Sequence, residues 1–342
     1  MKMRIEFWDY LKGICIYLVV LGHCCRTIGD FYGYDNSGAD IWLVRFIYSF
    51  HMPLFMFISG YFASHGKFRD VLKRKVSRLI IPILFWTCLK SALRINTVNS
   101  VNQLIKMFLI RFLTNYWFLW AIFAFNIIIL ILENIKIKNK YRILVLLCIG
   151  LVLIPDCFPS FSAYKFMLPY YVLGSWIKER DFIRNIKLWI EGSNKKNIVA
   201  IFNILFIVLF LFYKAQYIID VTDIYIFRGN IIKYLYIDVY RWMIGAVGAV
   251  TVILNIYLIW GFLEQSSSVI KKIVLYCGRN SLGIYIIHYF IIDYGLIFVM
   301  KKIGIFSISL LIVFSIFVTI GTCILIYIIK KIKLGKIALG EF

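Results

Sequence analysis

A lysine and a histidine at helical spacing are the residues of this chain best placed to carry out chemistry. Lys12 and His23 bracket an apolar run and are eleven positions apart. On an α-helix this separation is three turns plus roughly 20°, so both side chains lie on one face. The rise between them is about 16 Å, roughly half the hydrocarbon core of a bilayer. Such a helix would hold an anionic donor at its charged end and carry out proton chemistry deeper in the membrane.

A second histidine lies in a run that contains a proline. His51 precedes Pro53 by two residues. Because proline lacks an N–H, it frees the carbonyl of Ser49 and predicts a kink with a polar cavity at mid-membrane. Ser59 and Gly60 would allow another helix to approach closely. The alternative to a polar cavity is that this run serves only helix packing. The alternative to a functional role for any one histidine is a neutral ring that donates a hydrogen bond to a neighbouring carbonyl.

Basic residues follow this run in a dense group. The group contains Lys73, Arg74, Lys75 and Arg78, and it ends at Leu79-Ile80-Ile81-Pro82. Such a cluster at a cytoplasmic membrane surface suits a polyphosphate, although membrane topology alone explains most clusters of this kind. The predicted donor-binding residues are Lys12, Arg74, Lys75 and Arg78.

Four further residues are candidates for supporting roles. Asp9 lies three positions before Lys12, where it would pair with the lysine and fix its direction. Trp117 is expected at the outer end of a span, where an aromatic belt is the default interpretation. His288 lies in the run from Ser281, and Asp293 follows it five residues on. Asp293 would orient an imidazole, but the sequence does not show which one.

The overall composition is that of a membrane protein. Of 342 residues, 62% are hydrophobic, with a mean hydropathy of +0.84, against about 45–50% apolar residues in soluble domains. The net charge of +22 would suggest nucleic acid in a soluble protein, but the positive-inside rule explains it better here, and no nucleic-acid partner is expected. The eight cysteines lie mostly in apolar runs and form no C-x-x-C pair, so neither a disulfide framework nor a metal site is predicted.

Hydrophobic periodicity predicts an all-α, polytopic membrane bundle of about ten transmembrane helices in a single domain, 1–342. The spans are roughly 10–27, 41–63, 79–95, 115–133, 142–157, 162–177, 197–214, 239–262, 281–300 and 306–330. With the N-terminus in the cytoplasm, about two thirds of the 39 Lys and Arg residues fall on cytoplasmic segments. Both termini are therefore predicted to be cytoplasmic, with an uncleaved first span.

Two predicted outer loops are rich in acidic and aromatic residues. The loop at 27–40 contains Asp30, Asp35 and Asp40, and the loop at about 215–238 contains Asp220, Asp223 and Asp238. Such groups on a flexible backbone would hold a sugar, although a solvated loop with an aromatic belt is the plainer interpretation.

Taken together, these motifs resemble the acyltransferase 3 family of integral membrane O-acyltransferases. The resemblance spans about residues 6–290 and rests on the pieces Asp9-Tyr10-Leu11-Lys12-Gly13-Ile14 to Gly22-His23, Phe50-His51-Met52-Pro53-Leu54-Phe55 to Ser59-Gly60, Arg78-Leu79-Ile80-Ile81-Pro82, Trp117-Phe118-Leu119 and Ser281-x-Gly283-Ile284-Tyr285-x-x-His288. The family hallmark is a cation, ten residues and then a histidine. Many members have Arg at the first position, whereas Lys12 is typical of the fucose 4-O-acetylase-like branch. The family's Arg-x-x-Arg appears as Lys75-Val76-Ser77-Arg78, and Lys keeps the charge but loses bidentate geometry.

The resemblance implies a multi-pass O-acyltransferase of the bacterial inner membrane. Its donor would be cytoplasmic acyl-CoA, with acetyl-CoA expected, used as a co-substrate with no permanently bound cofactor. Its acceptor would be a sugar hydroxyl of a cell-surface or lipid-linked glycan, such as an exopolysaccharide. Membrane lipid and glycan-synthesis machinery would be its other partners. His23 would act as general base or carry the acyl group, and His51 would polarise the carbonyl or orient the acceptor.

A transporter is the main alternative from the residues themselves. In a proton-coupled glycan or lipid-intermediate transporter, the intramembrane histidines would act as proton relays. The sequence shows no internal repeat, however, and transport does not explain the basic cluster. A membrane scaffold for a synthase complex is a third interpretation. The sequence lacks the P-loop, H-E-x-x-H and G-x-S-x-G motifs, which argues against an ATP-driven pump, a zincin and a serine hydrolase.

Overall fold

Helices form all the regular structure of the described chain. A computed structural model describes residues 2–33, 38–94, 100–180, 194–219, 221–227, 229–296 and 307–341. In chain order its helices are α1 (Lys2–Phe31), α2 (Trp42–Tyr61), α3 (Phe68–Lys75), α4 (Ile81–Ala92), α5 (Val101–Thr114), α6 (Trp117–Asn134), α7 (Lys140–Val152), α8 (Phe161–Glu179), α9 (Lys195–Leu211), α10 (Ile231–Gln265), α11 (Val269–Arg279), α12 (Ser281–Ile291), α13 (Ile308–Lys330) and α14 (Lys333–Leu339). Two π-helical turns, Val76–Ile80 and Ile292–Leu296, follow α3 and α12. The all-α prediction is confirmed for these residues.

Each predicted span coincides with a helix, but the helices differ in length. Within the described ranges, five are long and apolar enough to cross a membrane, namely Glu6–Phe31, Trp42–Tyr61, Trp117–Asn134, Ile231–Gln265 and Ile308–Lys330. The remaining spans fall on shorter or more polar helices such as α4, α7 and α12. Residues 95, 297–300 and 306 of three predicted spans lie outside the described chain. The helical class, with several apolar helices that could span a membrane, is confirmed for the described residues, whereas the count of ten and the side of the termini stay predictions.

The first two helices form the centre of the bundle. In their most apolar segments, 61% of residues in α1 and 67% in α2 are buried, against 28% in both α10 and α13. Helix α2 makes its most extensive contact with α8, and α1 makes its most extensive contact with α11. In a bilayer the apolar outward faces of α10 and α13 would contact lipid, whereas the polar groups of α1 and α2 are mostly enclosed by other helices.

Glycines allow the two central helices to touch their neighbours backbone to backbone. A Cβ added to Gly60 on α2 would lie 2.1 Å from the carbonyl oxygen of Tyr171 on α8, and one added to Gly174 would lie 2.1 Å from that of Phe57. The close approach predicted for Gly60 is therefore confirmed. On α11, a Cβ at Gly278 would lie 1.7 Å from the carbonyl oxygen of Asp9. Only glycine permits these contacts without moving a helix.

The basic segment is continuous with α4 through a π-helical turn. Pro82 lies in the first turn of α4 and provides no N–H for the carbonyl of Arg78. Gly340 packs against that carbonyl, because a Cβ there would lie 2.4 Å from its oxygen. The indole N–H of Trp86 donates to the carbonyl of Ala338 at 2.8 Å. The end of the chain thus packs against the basic segment.

Two acidic residues assigned to outer loops lie inside helices. Asp30 is in the last turn of α1, where it is exposed. Asp238 is on α10, fully buried, with its Oδ1 atom 3.4 Å from Nη2 of Arg241. The prediction that it belongs to a sugar-holding loop is wrong, because α10 begins at Ile231, earlier than the predicted span. Asp35 and Asp220 lie outside the described residues.

Replacing Gly60 with alanine tests the backbone contact between α2 and α8. The added Cβ must displace the backbone of Tyr171, and we expect a loss of about 1–3 kcal/mol in stability. The matched control is Gly261→Ala on α10, where nothing lies within 4 Å, so that change should be neutral or stabilising. Fluorescence-detected size-exclusion chromatography after heating compares the two. Equal melting temperatures for the two variants would contradict the contact.

Candidate active site

A cavity of about 280 Å³ opens beside the first turns of α1. Its polar lining comes from Asp9, Lys12, Ser59, Lys75, Arg279 and Tyr285, and its apolar lining includes Phe55, Phe118 and Leu119. These residues belong to α1, α2, α3, α6, α11 and α12. We call it the inner cavity. Its mouth is cationic and its deeper wall is aromatic, so it suits an anion that carries a less polar extension.

An acidic residue ties two of the cations together at this mouth. Oδ1 of Asp9 is 3.4 Å from Nζ of Lys12, which confirms the predicted pairing. Oδ2 of Asp9 is 3.5 Å from Nε of Arg279, and Glu6 lies 3.4 Å from the same guanidinium. The close packing of Gly278 on α1 brings Arg279 to Asp9. The carboxylate therefore orients both cations while the group as a whole stays open to an anion.

The basic residues of the segment 73–78 differ in whether they line a cavity. Lys75 lines the inner cavity, and burial, with added repulsion from Arg74 and Arg78, lowers the pKa of its ammonium to about 8. Arg78 lines an adjoining cavity of about 310 Å³ that also includes Arg279. Arg74 is exposed and lines neither cavity. Lys12, Lys75 and Arg78 are thus brought to one face of the protein, and Arg74 stands at its edge.

His23 lies deeper along α1, next to α12. Its Nδ1 atom is 2.7 Å from the hydroxyl of Tyr289, and its ring centroid is 5.2 Å from that of His288. His23 keeps partial exposure, whereas His51 is 3% exposed and His288 is fully buried. His23 is therefore the least enclosed of these three residues.

The other two rings are each anchored to their own helix. Nδ1 of His51 is 2.6 Å from the carbonyl oxygen of Ile47, and Nδ1 of His288 is 2.9 Å from that of Ile284. Because a carbonyl only accepts, each Nδ1 donates, and each neutral ring presents Nε2 as an acceptor. Nε2 of His288 is buried and has no hydrogen-bond partner within the described structure. A neighbouring carbonyl thus accepts a hydrogen bond from one nitrogen of each ring, as the alternative for a single histidine predicted, and the other nitrogen can still accept a hydrogen bond.

A second cavity lies on the other side of the histidines. It measures about 180 Å³ and is lined by Lys90, Arg94, Arg111, Asn115 and Asp293. We call it the outer cavity. Ser281 at the inner cavity and Asp293 at the outer cavity are twelve residues apart, about 18 Å along a helix. His288 and Tyr289 lie between them, so the imidazole pair separates the two cavities.

The last two supporting residues lie in different surroundings. Oδ2 of Asp293 is 4.0 Å from Nζ of Lys90, and in the described structure no hydrogen bond joins it to an imidazole. Trp117 packs, partly buried, against the hydrophobic core. Its neighbour Phe118 stacks on Phe55, with centroids 5.2 Å apart, at the inner cavity. The start of α6 therefore lies beside the inner cavity, and the aromatic-belt position of Trp117 stays a prediction.

Six polar residues of this region were not singled out from the sequence. They are Lys90, Arg94, Arg111, Asn115, Arg279 and Tyr289. Lys90 could have been found from the sequence, because it lies in the predicted span 79–95 and an ionisable residue inside a span is a functional candidate by default. The sequence indicates Arg279 only as one of the basic residues that favour the cytoplasmic side of the membrane. Nothing in the sequence shows that α11 packs against α1.

One group has the composition of a metal site. The ligand atoms of His65, Glu133 and Glu179 lie within 4.8 Å of one another. Nζ of Lys140 contacts both carboxylates, at 2.6 Å from Glu133. The ammonium thus occupies the position that a cation would take, and the group lies away from the residues lining both cavities.

The fold and this site define a helical membrane protein with a cationic cavity and a buried imidazole pair. Residues 5–330 match the family model described as an acyltransferase domain, Acyl_transf_3. The chain belongs to the acyltransferase 3 family, as the motifs indicated.

Two curated relatives align with part of the chain. Nodulation protein NolL of Sinorhizobium fredii is 33% identical over 177 residues, which are 49% of this chain and 47% of the relative. Nodulation protein NolL of Mesorhizobium japonicum is 29% identical over 192 residues, which are 53% and 50% of the two chains. The chain thus spans about half the length of the curated relatives it matches. No solved structure matches it significantly.

The depressed pKa of Lys75 predicts a pH dependence of anion binding. As the pH rises from 7 to 9 through a pKa of about 8, the ammonium loses its proton and the inner cavity loses a charge. Affinity for a phosphate-bearing probe, for which coenzyme A is used, should therefore fall over this range. Lys75→Arg should flatten the dependence, because a guanidinium stays charged there. Isothermal titration calorimetry of the purified protein at each pH measures the affinity. Identical pH profiles for the wild type and Lys75→Arg would rule out Lys75 as the titrating group.

Proposed function

We propose that the protein is an O-acyltransferase of the bacterial inner membrane. It moves an acyl group, expected to be acetyl, from cytoplasmic acyl-CoA to a sugar hydroxyl of a cell-surface or lipid-linked glycan. Family membership supports the reaction class. The observation that carries the proposal is the imidazole of His23, hydrogen-bonded to Tyr289 on the helix that runs from the cationic inner cavity toward the outer cavity.

The donor would enter the inner cavity from the cytoplasm. Lys12, Lys75 and Arg279 line its mouth, with Arg78 at the adjoining cavity. Ammonium and guanidinium groups bind phosphate oxygens through charge-assisted hydrogen bonds. The aromatic wall formed by Phe55 and Phe118 would then pack against the pantetheine chain as it extends inward. Both chain termini would lie on the donor side, in agreement with the distribution of basic residues.

His23 would serve as the general base. When Nδ1–H donates to the Tyr289 oxygen, Nε2 is free to take the proton from the sugar hydroxyl. The hydroxyl oxygen attacks the thioester carbonyl and forms the C–O bond. The C–S bond then breaks, and the imidazolium returns the proton to the departing thiolate of coenzyme A. Tyr285 and His288 lie between the inner cavity and His23, with ring centroids 6.0 Å apart, so the thioester must pass Tyr285 to reach the base.

His51 and His288 would assist from buried positions. Each presents Nε2 as an acceptor while Nδ1 stays bound to its own helix. His288 is next to His23 and would accept a hydrogen bond from the reacting groups or from a rotated His23 ring. His51 lines neither cavity, and its proposed role is to orient the acceptor through Nε2. Glycan-synthesis machinery and membrane lipid would be the partners in the cell.

Replacing His23 with alanine tests the reaction and the base together. Loss of a general base typically costs about 10²–10⁴-fold, so glycan acylation in His23→Ala cells should match that of the deletion strain. The control is His65→Ala, which removes a histidine that contacts Glu133 and leaves the imidazole pair intact. Mass spectrometry of the surface glycan measures the mass of one acyl group, and immunoblotting confirms that the protein is in the membrane.

Two results would contradict the proposal. Full acylation in His23→Ala cells would remove His23 from the chemistry. Unchanged acylation in the deletion strain, with glycan that fails to reach the surface, would favour the proton-coupled transporter.

A further inference from the structure

The outer cavity has an excess of positive charge that takes no part in the proposed binding of the acyl donor. Its lining includes Lys90, Arg94 and Arg111 against one carboxylate, that of Asp293. The ammonium of Lys90 is 4.0 Å from Oδ2 of Asp293, the outer limit of an ion pair. Lys90 as a residue is only 8% exposed. Placing two further cations beside the nearly buried Lys90 is costly unless a counter-charge is bound there.

The position of this charge runs against membrane topology. In the proposed orientation the outer cavity faces away from the cytoplasm, where Lys and Arg are normally sparse. Topology therefore explains the cytoplasmic basic segment but not this group. The group is also built into the fold, because Nη1 of Arg111 donates to the main-chain carbonyl of Lys90 at 3.2 Å and thereby joins α5 to α4.

The outer cavity adjoins the candidate base directly. Nζ of Lys90 is 5.2 Å from the ring centroid of Tyr289, and the hydroxyl of Tyr289 is 2.7 Å from Nδ1 of His23. A ligand held by the cations would therefore have its neighbouring atoms close to His23. The cavity, at about 180 Å³, has room for one acidic sugar or one diphosphate but not for a chain of sugars.

We propose that the outer cavity binds an anionic group of the acceptor, a carboxylate or a phosphate, and so places the acceptor hydroxyl beside His23. This rests on the proposed function, and it restricts the acceptor to an acidic sugar or to a sugar linked to lipid through phosphate. Arg94 and Arg111 would bind the oxygens directly, since guanidinium groups match carboxylate and phosphate geometry.

Binding of small probes to the purified full-length protein in nanodiscs tests the site without any transfer reaction. Saturating coenzyme A first fills the inner cavity. Sodium glucuronate represents the acidic sugar and sodium pyrophosphate the phosphate link, with glucose as the neutral comparison, at constant ionic strength. Arg94→Gln removes one exposed cation of the cavity, and Lys106→Gln makes the same charge change on exposed α5 outside it.

At least one of the two anions should bind to the wild type and to Lys106→Gln with equal affinity. Its affinity for Arg94→Gln should be at least about fivefold lower. The anion that binds identifies the source of the charge. Arg94→Glu should weaken binding further, and its coenzyme A affinity reports that the protein is folded. Binding of neither anion to the wild type, or equal binding to Arg94→Gln, would overturn the inference. Failure of coenzyme A to bind the wild type would instead count against the proposed function.

Discussion

The hydrogen bond between His23 and Tyr289 is the interaction on which the rest of the site depends. It joins α1, which carries the cation of the inner cavity, to α12, which continues toward the outer cavity. In an apolar bundle every polar side chain needs a partner, because no water is present to supply one. The anchored rings of His51 and His288 meet this need with a carbonyl one turn earlier on their own helices. This arrangement fixes each ring and leaves an acceptor nitrogen toward the interior, which is the state that proton chemistry requires.

Close helix contacts hold this interaction in place and also build the inner mouth. Gly278 lets α11 lie against the main chain of Asp9, and this contact brings Arg279 to the carboxylate that orients Lys12. On the other side of the bundle, Gly60 and Gly174 bring α2 against α8. The small residues therefore determine where the charged ones can meet. The geometry of the candidate site follows from helix spacing as much as from the identity of its polar groups.

Local periodicity predicted the features that belong to one helix. The pairing of Asp9 with Lys12 depends on positions one turn apart. Gly60 indicated where another helix could approach α2, but the sequence did not show that this helix is α8. Features that depend on distant helices were missed. The sequence does not show that Tyr289 meets His23, 266 residues away along the chain, or that Arg279 meets Asp9. Asp293 was assigned to an imidazole because His288 is near it in sequence, whereas its charged neighbour in space is Lys90 on α4.

In the proposed reaction, an acyl group enters at the Lys12 end of the bundle and leaves at the Lys90 end. The most direct test uses membrane vesicles and radiolabelled acetyl-CoA, which does not cross a bilayer. Inverted vesicles, with the cytoplasmic face outward, should incorporate label into glycan, and that label should resist added esterase until detergent opens the vesicles. Right-side-out vesicles should incorporate none. Labelling of right-side-out vesicles, or esterase-sensitive label on intact inverted vesicles, would contradict transfer between the two cavities.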